Sequence, residues 1–287
     1  MAEKPKKQVV RAQTPATGTG AKKPATEATW KPTPEAKAQA TKLRIFAWVA
    51  WALAIGLEMF AIFWVLRQPE IKTWLLIVLI VVIGLLALGG SFLWKKANRL
   101  DPASRANKVK FFVQNQLGAI MTAIAFLPLI ILVFLNKDMD GKQKGIVGGI
   151  AIAVMVVVGA LSSTTNSPSV EQYSDESRIV MELTGKDEVF WTKSGKVFHL
   201  CEAASDVQRE SKDNTVEVGT VGQAHAAGKE RLTKKVETEI KQCGLDINNY
   251  NPNPSDATTE PGTDQTTEPG SDGTDATESP EGETTEE

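Results

Sequence analysis

Apolar positions along this chain gather into four long runs within the first 163 residues, at 44–66, 72–94, 111–135 and 145–161. A helix needs about 20 apolar residues to cross the hydrocarbon core of a bilayer, and each run reaches or approaches that. Only a helix satisfies its own backbone N–H and C=O groups within one segment in lipid. The pattern therefore predicts an α-helical membrane protein with four transmembrane helices in region 44–163.

The runs carry further signals. Trp48, Trp51 and Trp64 lie in the first, and Trp74 and Trp94 bracket the second, as suits an amphipathic ring at the headgroup boundary. The segment 67–70 reads as a tight turn, making an antiparallel hairpin of the first two spans. After the second span Asp101-Pro102 reads as an N-cap followed by proline at the first helical position. A helix starting there would run unbroken into span three, with a kink at Pro128. Gly145 and Gly149 form a small-xxx-small pair suited to close helix packing in span four.

Beyond the spans the pattern changes to that of a small soluble α+β domain over 174–248. A helix is expected at 174–183, and strands at 188–193 and 196–201 flank a Ser194-Gly195 turn. A helical turn follows at 205–210 and a strand at 215–218. Val221, Ala224, Gly228, Leu232, Val236 and Ile240 recur at helical spacing and predict one long last helix, capped by Gly244.

Charge refines the picture at the ends. The formal net charge of −2 averages a basic start and an acidic finish. Residues 1–43, rich in Lys, Ala, Thr and Pro, bury too little to offset their ordering entropy and are expected to be a disordered tail. Its lysines could touch anionic headgroups or nucleic acid, but a solubilising tail is the simpler reading, and no nucleic-acid partner is expected. Residues 249–287 repeat Thr-Thr-Glu-Pro-Gly and are expected to be a disordered acidic Thr/Pro/Glu tail. No cleavable signal peptide is read at the start, so the first span is expected to act as a signal anchor.

Orientation follows from Lys and Arg near the spans. The N-terminal tail and the loop holding Lys95, Lys96, Arg99, Arg105, Lys108 and Lys110 are both basic, and two spans separate them. Both point to the cytoplasm, and four crossings return the C-terminal domain there. The expected location is the cell (inner) membrane.

Several stretches resemble an uncharacterised family of four-span bacterial membrane proteins. They begin at Trp94-Lys95-Lys96-Ala97-Asn98-Arg99-Leu100-Asp101-Pro102, at Phe111-Phe112-Val113-Gln114-Asn115-Gln116-Leu117-Gly118, at Phe134-Leu135-Asn136-Lys137-Asp138 and at Thr184-Gly185-Lys186-Asp187-Glu188-Val189-Phe190-Trp191. The resemblance runs from about Arg44 to Val236 and implies a C-terminal domain like a small His/Cys metal ribbon. Its histidine matches His199, but its cysteine positions fall on Ala204, Thr233 and Val236. Tetrahedral zinc takes four N or S ligands, and one remains, so neither metal nor other cofactor is expected.

Candidate chemistry is sparse. Glu58 lies near the middle of span one, where an ionisable group is a functional candidate by its cost alone. It is either a proton or cation site, or a neutral carboxyl bonded to a neighbouring helix through Thr122 or Ser91. Asn136, Asp138 and Asp140, then Gly141, resemble the start of a calcium loop, but the twelfth position is Val147 where a bidentate Glu is needed. A polar loop explains them. His199, Cys201, Cys243 and His225 are the right types for a metal but lack a recognised spacing, and the two cysteines are read as structural thiols. No phosphate-binding glycine loop, nucleophile elbow or paired acid/base carboxylates appear, so an enzyme is not expected. The favoured function is a non-enzymatic membrane protein presenting a small binding or regulatory domain, with a protein partner possible. The alternative is a transporter or channel subunit built on Glu58.

Overall fold

The computed structural model describes residues 7–12 and 30–250. The expected acidic tail from 251 onward, and the parts of the basic tail at 1–6 and 13–29, lie outside the described residues.

Four helices are long and apolar enough to cross a membrane. They are α1 (Pro34–Phe63), α2 (Thr73–Leu100), α3 (Lys108–Leu135) and α4 (Gly141–Ser162). Local chemistry sets their ends. The Thr33 hydroxyl accepts the Ala36 N–H at 3.2 Å, with Pro34 as the first helical residue. Asp140 and Gln143 form a reciprocal capping box at the start of α4. Pro128 sits inside α3 on an exposed face.

α2 packs against α1, α3 and α4. Its Leu76, Ile80 and Ile83 join Ala54 of α1, Phe126 of α3 and Ala151 of α4 in one buried cluster. Indole groups tie the bundle with hydrogen bonds: Trp51 Nε1 donates to Ala87 O and Trp94 Nε1 to Gln114 O.

A small strand-containing region follows. It holds α5 (Val170–Thr184), β2 (Val189–Trp191), β3 (Val197–Phe198), α6 (Ser205–Glu210), β4 (Thr215–Gly219), α7 (Val221–Ala226), β5 (Arg231–Leu232) and α8 (Val236–Cys243). β4 is the centre of a three-stranded sheet, antiparallel to β2 on one side. β3 and β5 form a separate parallel pair. Val189, Trp191, Phe198, Val221, Leu232 and Ile240 build the core.

Four expectations need correction. The first 43 residues are not uniformly without structure. Residues Gln8–Arg11 form β1, an edge strand parallel to β4. Trp30 is buried edge-on against Tyr173, and α1 begins ten residues ahead of the apolar run because Ala36 and Ala40 pack on Ala97 and Leu100.

Second, Asp101 ends α2 as its C-cap and does not start α3. The true start of α3 is capped by Asn107, whose Oδ1 accepts the Lys110 N–H at 3.0 Å. Arg44 holds Asp101 through an ion pair at 2.6 Å, so its carboxylate serves α1 instead.

Third, a Cβ on Gly145 or Gly149 would meet nothing within 4 Å. Close packing falls instead on Gly84 against Val154, Gly90 against Trp51, and Gly148 against Phe134.

Fourth, the long last helix is broken into α7, β5 and α8. Gly228 adopts φ 97°, a left-handed conformation that ends α7. The apolar stripe is nevertheless buried at Val221, Ala224, Leu232, Val236 and Ile240. Gly244 caps α8 with φ 65°, as the sequence indicates. The hairpin around Ser194-Gly195 keeps only the Phe190–His199 bridge, since β2 pairs chiefly with β4.

Candidate functional site

Glu58 lies on the inner face of α1, 3% exposed, and its Oε1 has no hydrogen-bond partner among the described residues. The two expected partners are spent on their own helices. Ser91 Oγ donates to Ala87 O at 2.8 Å, and Thr122 Oγ1 to Gly118 O at 2.9 Å. Both are the backbone contacts that hydroxyls make inside helices.

The polar loop at 136–140 is explained without an ion. Asn136 Oδ1 accepts the N–H groups of Asp138 and Met139, its Nδ2 donates to Leu66 O, and Asp140 caps α4. Val147 is buried in α4.

In the strand-containing region the cysteines are not free thiols. Cys201, just after β3, is bonded to Cys243 at the end of α8, closing a loop of 42 positions. While that bond stands neither sulfur is a thiolate ligand. His199 is fully buried, and its Nδ1 lies 2.6 Å from Glu239 Oε1. Glu239 Oε2 accepts the Leu200 N–H at 3.0 Å, while His199 Nε2 has no partner among the described residues. Ala204, Thr233 and Val236 are all buried, Ala204 beside Val207 and Val216. No group of three or more His, Cys, Asp or Glu side chains is placed to hold a metal among the described residues.

A second histidine pair ties the region to the bundle. His225 Nδ1 faces Lys229 O at 3.0 Å, and Nε2 faces Glu176 Oε2 at 2.5 Å. A carbonyl only accepts, so Nδ1 is the donor to Lys229 O, and Nε2 is left to the Glu176 carboxyl. Glu176 Oε1 accepts from Gln172 Nε2 and the Leu232 N–H. Tyr173 stacks on the His225 ring at 3.8 Å and donates its hydroxyl to Arg99 O, at the end of α2. Burial first, and Glu176 next, raise the Tyr173 phenol well above its ordinary value.

Lys229 is 6% exposed and braces the turn after β2, donating to Thr192 O and Gly195 O at 2.7 Å each. Burial lowers its pKa, against the pull of Glu217 and Glu210.

Sequence reasoning passed over Glu176, Glu239 and Lys229. A signal for the two acids was present. Tyr173, Glu176, Val180 and Leu183 share a face of α5, and Val236, Glu239, Ile240 and Cys243 share one of α8. A carboxylate inside an apolar stripe announces a buried partner. Lys229 carried no such sign.

Comparison with known proteins yields no matching family model, no matching curated protein and no matching solved structure.

Proposed function

We propose that the chain is a non-enzymatic, multi-pass protein of a bacterial inner membrane, whose four helices anchor a small α+β domain that binds or regulates a partner. The observation that carries this reading is how the domain is clamped to one end of the bundle. Val170 N–H donates to Ala103 O at 3.2 Å, and Tyr173 reaches Arg99 O at 3.0 Å. Glu171 accepts the Ser104 hydroxyl and the Arg105 N–H. Burial alone would raise the Glu171 carboxyl, but these donors hold it below its ordinary value. A domain fixed this way moves with the helix ends, so a partner on one is felt by the other. Both histidines are sealed from solvent, which suits holding a fold better than turning over a substrate.

The domain end carries the larger share of Lys and Arg, including Lys95, Lys96, Arg99, Arg105, Lys108 and Lys110. The opposite end has Arg67, Lys72, Lys137, Lys142 and Lys144. That bias favours a cytoplasmic domain. The Cys201–Cys243 bond pulls the other way, because disulfides persist in oxidising compartments. Alkaline phosphatase fused after Tyr250 decides between them: an inactive fusion is expected, and an active one puts the domain outside.

The second reading, a transporter or channel subunit, is favoured by the unpartnered Oε1 of Glu58. Full-length protein in liposomes bearing a pH or cation gradient separates the two. Flux equal to that of empty liposomes is expected, and flux abolished by Glu58→Gln would hand the function to the second reading.

A further inference from the structure

We propose that a crevice where α2, α3 and the α4–α5 connection meet binds a phosphate group. Its volume is about 190 Å³, enough for several water-sized molecules. Lys95, Asn98 and Arg99 line it from α2, Asn115 from α3, Thr164 from the connection, and Glu230 from the approach to β5.

The two cations stand one helical turn apart, where like charges repel. Neither is neutralised by a described carboxylate. Lys95 Nζ donates to Leu161 O and Ser163 O at 2.7 Å each, which leaves one of its three N–H groups. The Arg99 guanidinium makes no hydrogen bond or ion pair with any described residue. It passes over Gly228, where a Cβ would come within 3.1 Å of its Nη1. The absence of a side chain there leaves the guanidinium room beside the crevice.

Neutral groups complete the lining. Asn115 is 5% exposed and commits one amide hydrogen to Phe111 O, keeping the other and its carbonyl. Glu230 is the one acidic group in the lining, and Asn166 Nδ2 already donates to its Oε2 at 3.0 Å. Lys95, Arg99 and Glu230 together leave the lining at +1. A tetrahedral oxyanion suits this arrangement, because donors approach it from two helices and a loop and arginine presents a matching fork.

Depth suggests where such a group comes from. α2 has 28 residues and is about 42 Å long, while a hydrocarbon core is about 30 Å thick. The last turns of α2, with Lys95 and Arg99, then stand among headgroups. The lipid source rests on the reading of the four helices as spans, whereas binding of a soluble phosphate does not.

The test uses full-length protein in detergent, with binding followed by native mass spectrometry. The ligands are a short-chain phosphatidylglycerol and inorganic phosphate, alone and in competition. One bound phosphate species per chain is expected, with affinity reduced roughly tenfold or more in Arg99→Gln. Glu230→Gln should tighten binding, a change of sign that a damaged fold does not produce. Binding of the lipid alone identifies a headgroup, and displacement by inorganic phosphate identifies a soluble source. The proposal is overturned if neither species binds, if Arg99→Gln leaves the affinity unchanged, or if Glu230→Gln weakens it. Release of the chain from membranes by alkaline carbonate would overturn the span reading alone, and inorganic phosphate would then judge the crevice.

Discussion

The helical bundle and the domain that follows it bury apolar side chains by different rules. In the bundle the outward positions are as apolar as the inward ones. Trp74, Leu85 and Phe112 are 65%, 64% and 62% exposed, while Leu76, Ile80 and Ile83 are fully buried. Beyond residue 163, Ile247 is the only large apolar side chain that stands exposed among the described residues. Exclusion from water accounts for the core of the domain, so hydrophobicity does most of the sorting of its inside from its outside. Helices that cross a bilayer lack that selection, and the contacts of this bundle follow shape, a glycine under an aromatic ring or a valine. The domain also carries buried carboxylates, each with a histidine, and a covalent cross-link, neither of which the bundle uses.

The largest expected effect breaks this comparison at the cross-link. Replacing both Cys201 and Cys243 by Ala should destabilise the domain by roughly 3–5 kcal/mol, from the loop it closes. The bundle should be untouched. Urea unfolding of the full chain in micelles, with a probe in each region, checks it. A loss shared equally by both regions would show that they unfold as one unit.

Truncating one residue type in the two regions gives the next contrast. Leu232→Ala, in the domain core at 6% exposure, should cost about 2–5 kcal/mol. Leu85→Ala, facing outward from α2, should stay within about 0.5 kcal/mol. Equal costs in parallel melts would sink the idea that only the domain has a water-selected core.

Glycine tests the bundle's own rule. A Cβ on Gly90 would run into the indole of Trp51, so Gly90→Ala should cost about 1–3 kcal/mol. Gly149→Ala meets open space and gains helix propensity, so it should be neutral or slightly stabilising. Steric-trap unfolding in bicelles measures both, and a larger cost at Gly149 would reverse the assignment of the packing face.

The smallest effect is electrostatic. Lys235, through its hydrogen bond, and then Arg209 hold Asp206 below its ordinary carboxylate value. A depressed folded-state pKa contributes stability above the unfolded value, and that stability fades as pH falls through the folded one. Asp206→Asn should therefore cost at most about 1 kcal/mol at neutral pH and nothing once the pH is well below ~4. A cost that persists in acid would point to a packing role.

Much of this was legible in the residues. The four helices, the helix expected at 174–183 and found over Val170–Thr184, the turn of α6, the strand β4 and the Gly244 cap follow from period, capping chemistry and turn residues acting over a few positions. The last helix was misread because its apolar stripe is real. Val221, Ala224, Leu232, Val236 and Ile240 all reach the core, but by way of a helix, a strand and another helix. Periodicity records which residues are buried and not the path between them, and Gly228 was the local sign of the break. The tail was misread for the opposite reason. Val9 and Val10 are too short a run to signal a strand, and they form one only because β4 offers a free edge.

Sequence by itself determined where the chain is apolar enough to cross a bilayer, where the long apolar runs give way to a mixed pattern, and that Glu58 is the acidic residue inside the first run. Those properties are sums over neighbouring residues, and neighbours are known from the order of the chain. Tertiary structure alone decided which glycines face a partner, that Cys201 and Cys243 meet, and that His199 and His225 take Glu239 and Glu176. It also decided that Lys95 and Arg99 share a crevice with Asn115 and Glu230. Each of these joins residues at least 14 positions apart in the chain, where spacing carries no distance information and only packing brings the groups together.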